Sequence, residues 1–247
     1  MNSKETNNIL HIHNFNESVK KDLTAFNALI IGGVFCEKVR IDHYLDKLMD
    51  CISGIKNSFT GDIFVQEPFF VFGNEEDKLV HAIEKMATEE LINGVIVNSF
   101  GHVTNFNSHT NLKFVFSRFG IGKRKRTNSH FLNLLLSNNI KTIECFEYDK
   151  DLINDILSSD VNIDLWVRKS DLKLNSFSRY CFIKKYTNEC MQNNAECQTG
   201  KFVLNDTKEN FNLTTSGHCL YEEYKKAEEL DLSRVGSVVT NSDVYEL

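Results

Sequence analysis

Short apolar runs and amphipathic segments alternate along almost the whole chain. The runs at residues 28–31 and 95–97 are apolar at every position, as in strands that are buried on both faces of a parallel sheet. The segment that begins at Ile41 instead places apolar residues at Ile41, Leu45 and Leu48, the spacing of one helix face. The pattern therefore predicts strands and helices in alternation.

Eight strands are predicted, at residues 9–12, 28–31, 63–65, 94–97, 112–116, 141–146, 161–167 and 235–239. Helices are predicted at residues 14–23, 41–54, 75–92, from a cap at 127–129, at 152–157 and at 221–230, with the polar stretch 98–111 as a connection. Eight strand–helix repeats are typical of an α/β fold that closes as a single (β/α)8-like barrel. An open doubly wound sheet is the alternative, because strand order is not visible in a sequence. We expect one domain over residues 1–247, with a cysteine-rich insertion after the seventh strand.

Four of the seven cysteines are placed where a metal centre would form. Cys36 follows the second predicted strand, and Cys181, Cys190 and Cys197 follow the seventh in a polar, turn-prone stretch. Segments that follow barrel strands gather at one face, so the four thiols are expected to converge. Thiolates are the ligands of iron–sulfur clusters and of zinc. The local spacing is looser than in zinc ribbons or bacterial ferredoxins, so a cluster, a zinc site and unliganded thiols all remain open.

A basic run and two carboxylates also lie after predicted strands. Arg124 and Arg126 follow the fifth strand, where guanidinium groups would hold a carboxylate or phosphate of a substrate. A solvated loop is the alternative, because runs of charge usually face water. Glu144 and Glu147 end the sixth strand, and an inward-facing carboxylate there could accept a proton or form a structural ion pair.

The remaining cysteines and three histidines are assigned structural roles. Cys51, Cys145 and Cys219 are expected in helix, strand and loop contexts, as thiols that behave like small hydrophobic groups. Cys219 is the substitute ligand if one of the four is wrong. The three histidines are expected at the surface, with their polar atoms satisfied: His102, His109 and His218.

Composition narrows the classes of partner. The formal net charge of −6 argues against broad attraction to nucleic acid or anionic membranes. The longest apolar runs are far shorter than the roughly 20 residues that cross a bilayer. The polar N-terminus lacks the basic and apolar regions of a signal peptide, so we expect a cytoplasmic protein with no membrane span.

Several short motifs resemble peptidase family U32, also called the collagenase-like family. Residues 14–40, with Ala28-Leu29-Ile30-Ile31-Gly32-Gly33, resemble its opening. Thr127-Asn128-Ser129, followed by Cys145-Phe146-Glu147, is similar to its Asn-Ser helix start and its later Arg-Glu pair. Residues 163–167, running to Ser178-Arg179-Tyr180-Cys181-Phe182, resemble its hallmark strand and cysteine segment. Lys169-Ser170 departs from the family, which usually has His-Gly at that point.

The resemblance implies more than the residues show by themselves. It implies a [4Fe–4S] cluster on Cys36, Cys181, Cys190 and Cys197, with Glu147 at the family's Glu position. It also implies oxygen-independent hydroxylation, such as the ring hydroxylation of ubiquinone biosynthesis, with a paralogous partner subunit and a small aromatic or quinone-precursor substrate. The alternatives are a non-catalytic scaffold subunit, an RNA-base hydroxylase and a structural zinc protein. No nucleophile elbow or HExxH motif supports peptidase chemistry.

Overall fold

A computed structural model describes most of the chain. The described residues are 7–12, 22–33, 41–68, 73–106, 111–121, 126–169, 172–177, 202–206, 211–216, 219–223 and 235–242.

Eight parallel strands form a closed barrel. Numbered along the chain with four further strands, they are β1 (Asn7–Ile12), β2 (Ala28–Gly32), β3 (Asp62–Gln66), β4 (Gly94–Val97), β5 (Lys113–Phe116), β6 (Ile140–Phe146), β7 (Asp164–Arg168) and β12 (Ser237–Ser242). Their order around the barrel is β1-β12-β7-β6-β5-β4-β3-β2. The predicted barrel is confirmed, and each of the eight predicted strands overlaps one barrel strand.

Helices follow most of the barrel strands. They are α1 (Ile41–Lys56), α2 (Asn74–Thr88), α3 (Phe100–Phe106), α4 (Arg118–Ile121), α5 (Ser129–Ser137) and α6 (Lys150–Leu157), together with a short 3-10 turn at Leu23–Ala25. The predicted helices after β2, β3, β5 and β6 are confirmed, whereas the one at residues 14–23 lies mostly outside the described residues. No helix among the described residues is long and apolar enough to cross a bilayer.

The connection predicted at residues 98–111 was wrong in part, because it contains α3. Val103 and Phe106 are fully buried, and Phe100 packs against the same core. These three residues stand three apart, so a helical stripe was present in a stretch that is otherwise polar.

The insertion between β7 and β12 contains an antiparallel sheet, of which the sequence predicts only a short extended piece at residues 202–204, within the strand Phe202–Asp206. Its strands are β8 (Leu172–Phe177), β9 (Phe202–Asp206), β10 (Phe211–Ser216) and β11 (Cys219–Glu223), in the order β8-β11-β10-β9. The helix predicted at residues 221–230 is wrong at 221–223, where β11 pairs with β8, and its remainder lies outside the described residues. Pairing with a distant strand has overridden the local helical pattern. Cys219 accordingly lies in a strand and not in a loop.

The barrel strands carry two separate apolar layers. Outward-facing side chains pack against the helices in the larger core. The smaller core is formed by inward-facing side chains, namely Ile9, Ala28, Ile30, Phe64, Ile96, Val115, Trp166 and Val239. Successive side chains of a strand point to opposite faces, so the residue two positions after an inner one also faces inward. Beyond this apolar layer, toward the C-terminal strand ends, the inner positions become polar.

Candidate functional site

Three buried polar side chains lie inside the barrel near the C-terminal ends of their strands. His11 on β1, Glu144 on β6 and Arg168 on β7 are 3%, 1% and 5% exposed. Their sequence neighbours on each strand belong to the outer core, which places these three on the inner face. Barrel enzymes carry their sites at this end of the barrel.

Arg168 connects the other two residues. Its Nε donates to Oε1 of Glu144 at 2.9 Å, and its Nη2 donates to the same oxygen. Its Nη1 donates to Nδ1 of His11. The other ring nitrogen, Nε2 of His11, lies 2.8 Å from the carbonyl oxygen of Gly32. Because a guanidinium only donates and a carbonyl only accepts, His11 is neutral and carries its proton on Nε2.

Two consecutive glycines form the turn at the end of β2. Gly32 and Gly33 have φ values of +103° and +106°, a region that L side chains rarely adopt. The turn presents the Gly32 carbonyl to His11, and the N–H of Gly33 donates to the Tyr44 hydroxyl at 3.2 Å. Burial raises the pKa of Tyr44, so this hydroxyl stays protonated.

Gln66, at the end of β3, belongs to the same polar layer. A Cβ atom added to Gly33 would lie 2.7 Å from Cγ of Gln66 and 3.6 Å from Cε1 of His11, so both side chains pack around this glycine. Gln66 is 2% exposed, and its Nε2 has no hydrogen-bond partner among the described residues. Oε2 of Glu144 is also buried without a partner among them. The layer thus contains one unused donor and one unused acceptor.

A second polar group surrounds Glu67, directly after β3. Glu67 is fully buried, and its Oε2 accepts from the Asn98 N–H at 2.9 Å and from Nδ1 of His102 at 2.8 Å. Nε2 of His102 lies 3.3 Å from Oε1 of Glu76 on α2. A carboxylate at each ring nitrogen favours the protonated imidazolium form of His102. The hydrogen bond with Glu67 raises the pKa of His102, while burial raises the pKa of Glu67.

Two predicted site residues fall within the described part of the chain. Glu147 is half-buried in the turn after β6, and its N–H donates to the carbonyl of Arg168 at 3.0 Å. Arg126 is 70% exposed, and its Nε lies 3.0 Å from a carboxylate oxygen of Asp155 on α6. This ion pair gives Arg126 a structural role. The substrate-binding role of Arg126 and the catalytic role of Glu147 stay predictions.

The predicted buried thiols match the structure where it describes them. Cys51 lies in α1 and Cys145 in β6, and both are buried thiols outside any disulfide. Burial raises the pKa of Cys145 well above its usual range, so this thiol remains protonated. His102 was expected at the surface, but its ring is largely buried and lies between the carboxylates of Glu67 and Glu76.

The predicted cluster ligands lie outside the described residues. This applies to Cys36, Cys181, Cys190 and Cys197, and equally to Arg124, His109 and His218. Cys36 follows Gly33, the last described residue after β2, by three residues in the sequence. Phe177, four residues before Cys181, pairs with Cys219 in the insertion sheet. Within the described residues, no group of three or more His, Cys, Asp or Glu side chains is placed to hold a metal ion.

Sequence reasoning missed His11, Gln66 and Arg168 as site residues. Each is polar and stands in or at the end of a run that is otherwise apolar. In a barrel, such a position is inward-facing and close to the C-terminal mouth. One polar residue in an otherwise apolar strand was therefore the signal in the sequence that could have identified them.

No protein-family model matches this sequence, and no curated protein matches it. Among solved structures, the chain resembles the U32 peptidase Mk0906 with a TM-score of 0.50 and 10% identity, covering 98% of this chain and 94% of that one. A dihydropteroate synthetase matches with a TM-score of 0.45 and 9% identity over 97% of this chain and 89% of that one. MenC from Desulfotalea psychrophila LSv54 matches with a TM-score of 0.40 and 12% identity over 67% and 46%. At these identities the likeness concerns the fold alone.

Proposed function

We propose that this chain holds a [4Fe–4S] cluster on Cys36, Cys181, Cys190 and Cys197 and takes part in oxygen-independent hydroxylation. The reaction is of the kind found in the ring hydroxylation of ubiquinone biosynthesis, and the chain acts with a paralogous partner subunit. Support comes from the resemblance of its motifs to family U32, and within that family to UbiV. The U32-peptidase-like fold agrees with that resemblance.

The observation that carries the proposal is the turn at Gly32 and Gly33. This turn contacts His11 and Gln66 of the polar layer, and Cys36 follows it by three residues. A cluster bound by Cys36 would therefore lie within reach of the barrel mouth. When bound, the cluster would supply electron transfer, and the protein would position the substrate and tune the centre.

The chain's own residues have distinct proposed roles. The network of Arg168, Glu144 and His11 fixes the barrel mouth by buried, charge-assisted hydrogen bonds. Glu147, at the C-terminal end of β6, is proposed to accept a proton from the substrate. Arg124 and Arg126 are proposed to bind a substrate carboxylate or phosphate, with Arg126 exchanging its present partner Asp155 for that group.

Anaerobic purification followed by visible absorption spectroscopy and metal analysis tests the cofactor. A brown protein with iron and acid-labile sulfide supports the cluster. A colourless protein with zinc bound stoichiometrically would replace the cluster by a structural zinc site.

The buried network also favours a second function, that of a non-catalytic subunit which stabilises a paralogous partner. The guanidinium group of Arg168 donates to the side chains of Glu144 and His11, so these buried polar groups compensate one another within the barrel. Anaerobic co-purification identifies the partner. Hydroxylation of an added phenol or nucleobase by this chain alone would exclude the pure scaffold, whereas activity only in the complex would favour it.

A further inference from the structure

The polar layer at the barrel mouth is electrically balanced. Arg168 carries one positive charge and Glu144 one negative charge, and they are paired. His11 is neutral, because its ring donates to Gly32 and accepts from Arg168. Gln66 is uncharged. No described inward-facing residue of this layer therefore offers a cation without a paired anion to a ligand.

Two atoms of the layer are nevertheless unsatisfied. Nε2 of Gln66 is a buried donor without an acceptor, and Oε2 of Glu144 is a buried acceptor without a donor, within the part of the chain that the structure describes. Both side chains are at least 98% buried. Leaving such a group unpaired costs about 1–3 kcal/mol, so two of them in one layer call for a partner.

Aromatic side chains occupy neighbouring inward-facing positions: Phe64 lies two residues before Gln66 on β3, and Trp166 is paired with Glu144 across β6 and β7. On the N-terminal side of the layer, Trp166 and Phe64 meet edge to face with their centroids 4.8 Å apart. On the other side, Phe146 faces inward two residues beyond Glu144 and stacks on Tyr148 at 5.0 Å. An eight-stranded barrel has room for side chains or for one small ligand.

We propose that Gln66 and Glu144 bind a hydroxyl group on the apolar body of a ligand, and that this layer does not itself bind an anionic group. A hydroxyl both donates and accepts. It would donate to Oε2 of Glu144 and accept from Nε2 of Gln66, while the rings contact the apolar body. The inference rests on the proposed function only in placing a ligand at the barrel mouth, and it does not require the cluster.

Phenol is a suitable probe, and Trp166 is a suitable reporter. Trp166 is the only tryptophan in the chain and lies two residues before Arg168 on the inner face of β7. We expect phenol to change its fluorescence saturably in the anaerobically purified protein. Toluene has the same ring without the hydroxyl and should bind at least about tenfold more weakly, because it leaves both polar atoms unpaired. Benzoate, an anion, should also bind more weakly than phenol.

Gln66→Met removes the donor with little change in volume, and its unbranched chain avoids crowding Gly33. We expect this variant to fold as stably as the wild type, because it removes an unpaired buried group, and to bind phenol roughly tenfold more weakly. Ser117→Ala is the matched control, since Ser117 is also buried at a strand end but its hydroxyl already accepts from the Phe119 N–H. It should leave phenol binding unchanged.

Three results would overturn the inference: equal binding of phenol and toluene, tighter binding of benzoate than of phenol, or no response to phenol in the folded protein. The cluster is measured separately as iron and sulfide. A failure of the proposed function therefore appears in the metal analysis, and a failure of this inference appears in the fluorescence titration.

Discussion

Arg168 on β7 and Glu144 on β6 form an ion pair that is almost completely buried inside the barrel, with side chains 6% and 1% exposed. Both residues face inward from neighbouring strands, and Glu144 is directly opposite Trp166, two positions before Arg168. A charge at this depth is tolerated because its partner and His11 satisfy it.

Removing only one member of this pair should destabilise the fold strongly. Arg168→Met leaves Glu144 as an uncompensated buried charge, which typically costs about 3–5 kcal/mol of unfolding free energy. The double variant Arg168→Met/Glu144→Leu should recover much of that loss. Urea denaturation of the three proteins measures both effects.

The exposed ion pair of Lys113 and Asp62 is the control for charge removal. Its side chains are 60% and 37% exposed, so Lys113→Met should change the unfolding free energy by no more than about 1 kcal/mol. If Arg168→Met were as mild as Lys113→Met, the buried pair would not be a structural requirement of the barrel mouth.

The turn after β2 should also be sensitive to a single added methyl group. Gly33→Ala forces a side chain into a positive φ and toward Cγ of Gln66, which we expect to cost about 1–3 kcal/mol of unfolding free energy. Thermal or urea denaturation measures this loss.

Gly54→Ala provides the opposite expectation in the same chain. Gly54 lies in the exposed face of α1 with open space around it, so alanine there should stabilise by about 0.5–1 kcal/mol. A Gly33→Ala variant that is as stable as the wild type would show that the turn is not held in its present conformation.

Stability should fall as the pH rises through the range in which His102 titrates. The folded state raises the pKa of His102 above its ordinary value of 6.5 and raises the pKa of Glu67 above 4.5, so it binds protons more tightly than the unfolded chain does. The stabilisation by His102 is therefore complete below about pH 6.5 and is lost as the pH rises through the folded-state pKa.

Urea midpoints measured from about pH 6 to pH 9 test this dependence. His102→Gln should flatten the decline, whereas His130→Gln, at an exposed position in α5, should keep the wild-type slope. Parallel slopes for the wild type and His102→Gln would show that the two carboxylates do not hold a charged imidazole.

The barrel was predictable because apolar runs mark its strands, and such runs can be recognised in the local sequence. The strands at 28–31 and 94–97 are buried on both faces, so nearly every position is apolar and the run is visible. The N-cap of α5 was also predictable: the Asn128 side chain accepts from the Phe131 N–H at 3.0 Å. Asp149 occupies the N-cap position of α6, as its place before the helix indicates, but its carboxylate binds Arg118 and the Phe146 N–H instead of a helix N–H.

The candidate site was less predictable because it depends on contacts between distant residues. His11 and Arg168 are 157 residues apart and meet only when the barrel closes. Of the two carboxylates at the end of β6, the family resemblance singled out Glu147, although strand alternation places Glu144 inward. The pairing that turns residues 221–223 into a strand is likewise non-local.

The most direct test of the account is the iron and acid-labile sulfide content of the anaerobically purified protein and of two cysteine variants. The account predicts about four iron and four sulfide per chain in the wild type, loss of both in Cys181→Ala, and retention of both in Cys51→Ala, since Cys51 is buried in the helical core of α1. A wild-type protein without iron and sulfide, or equal loss of iron from the two variants, would contradict it.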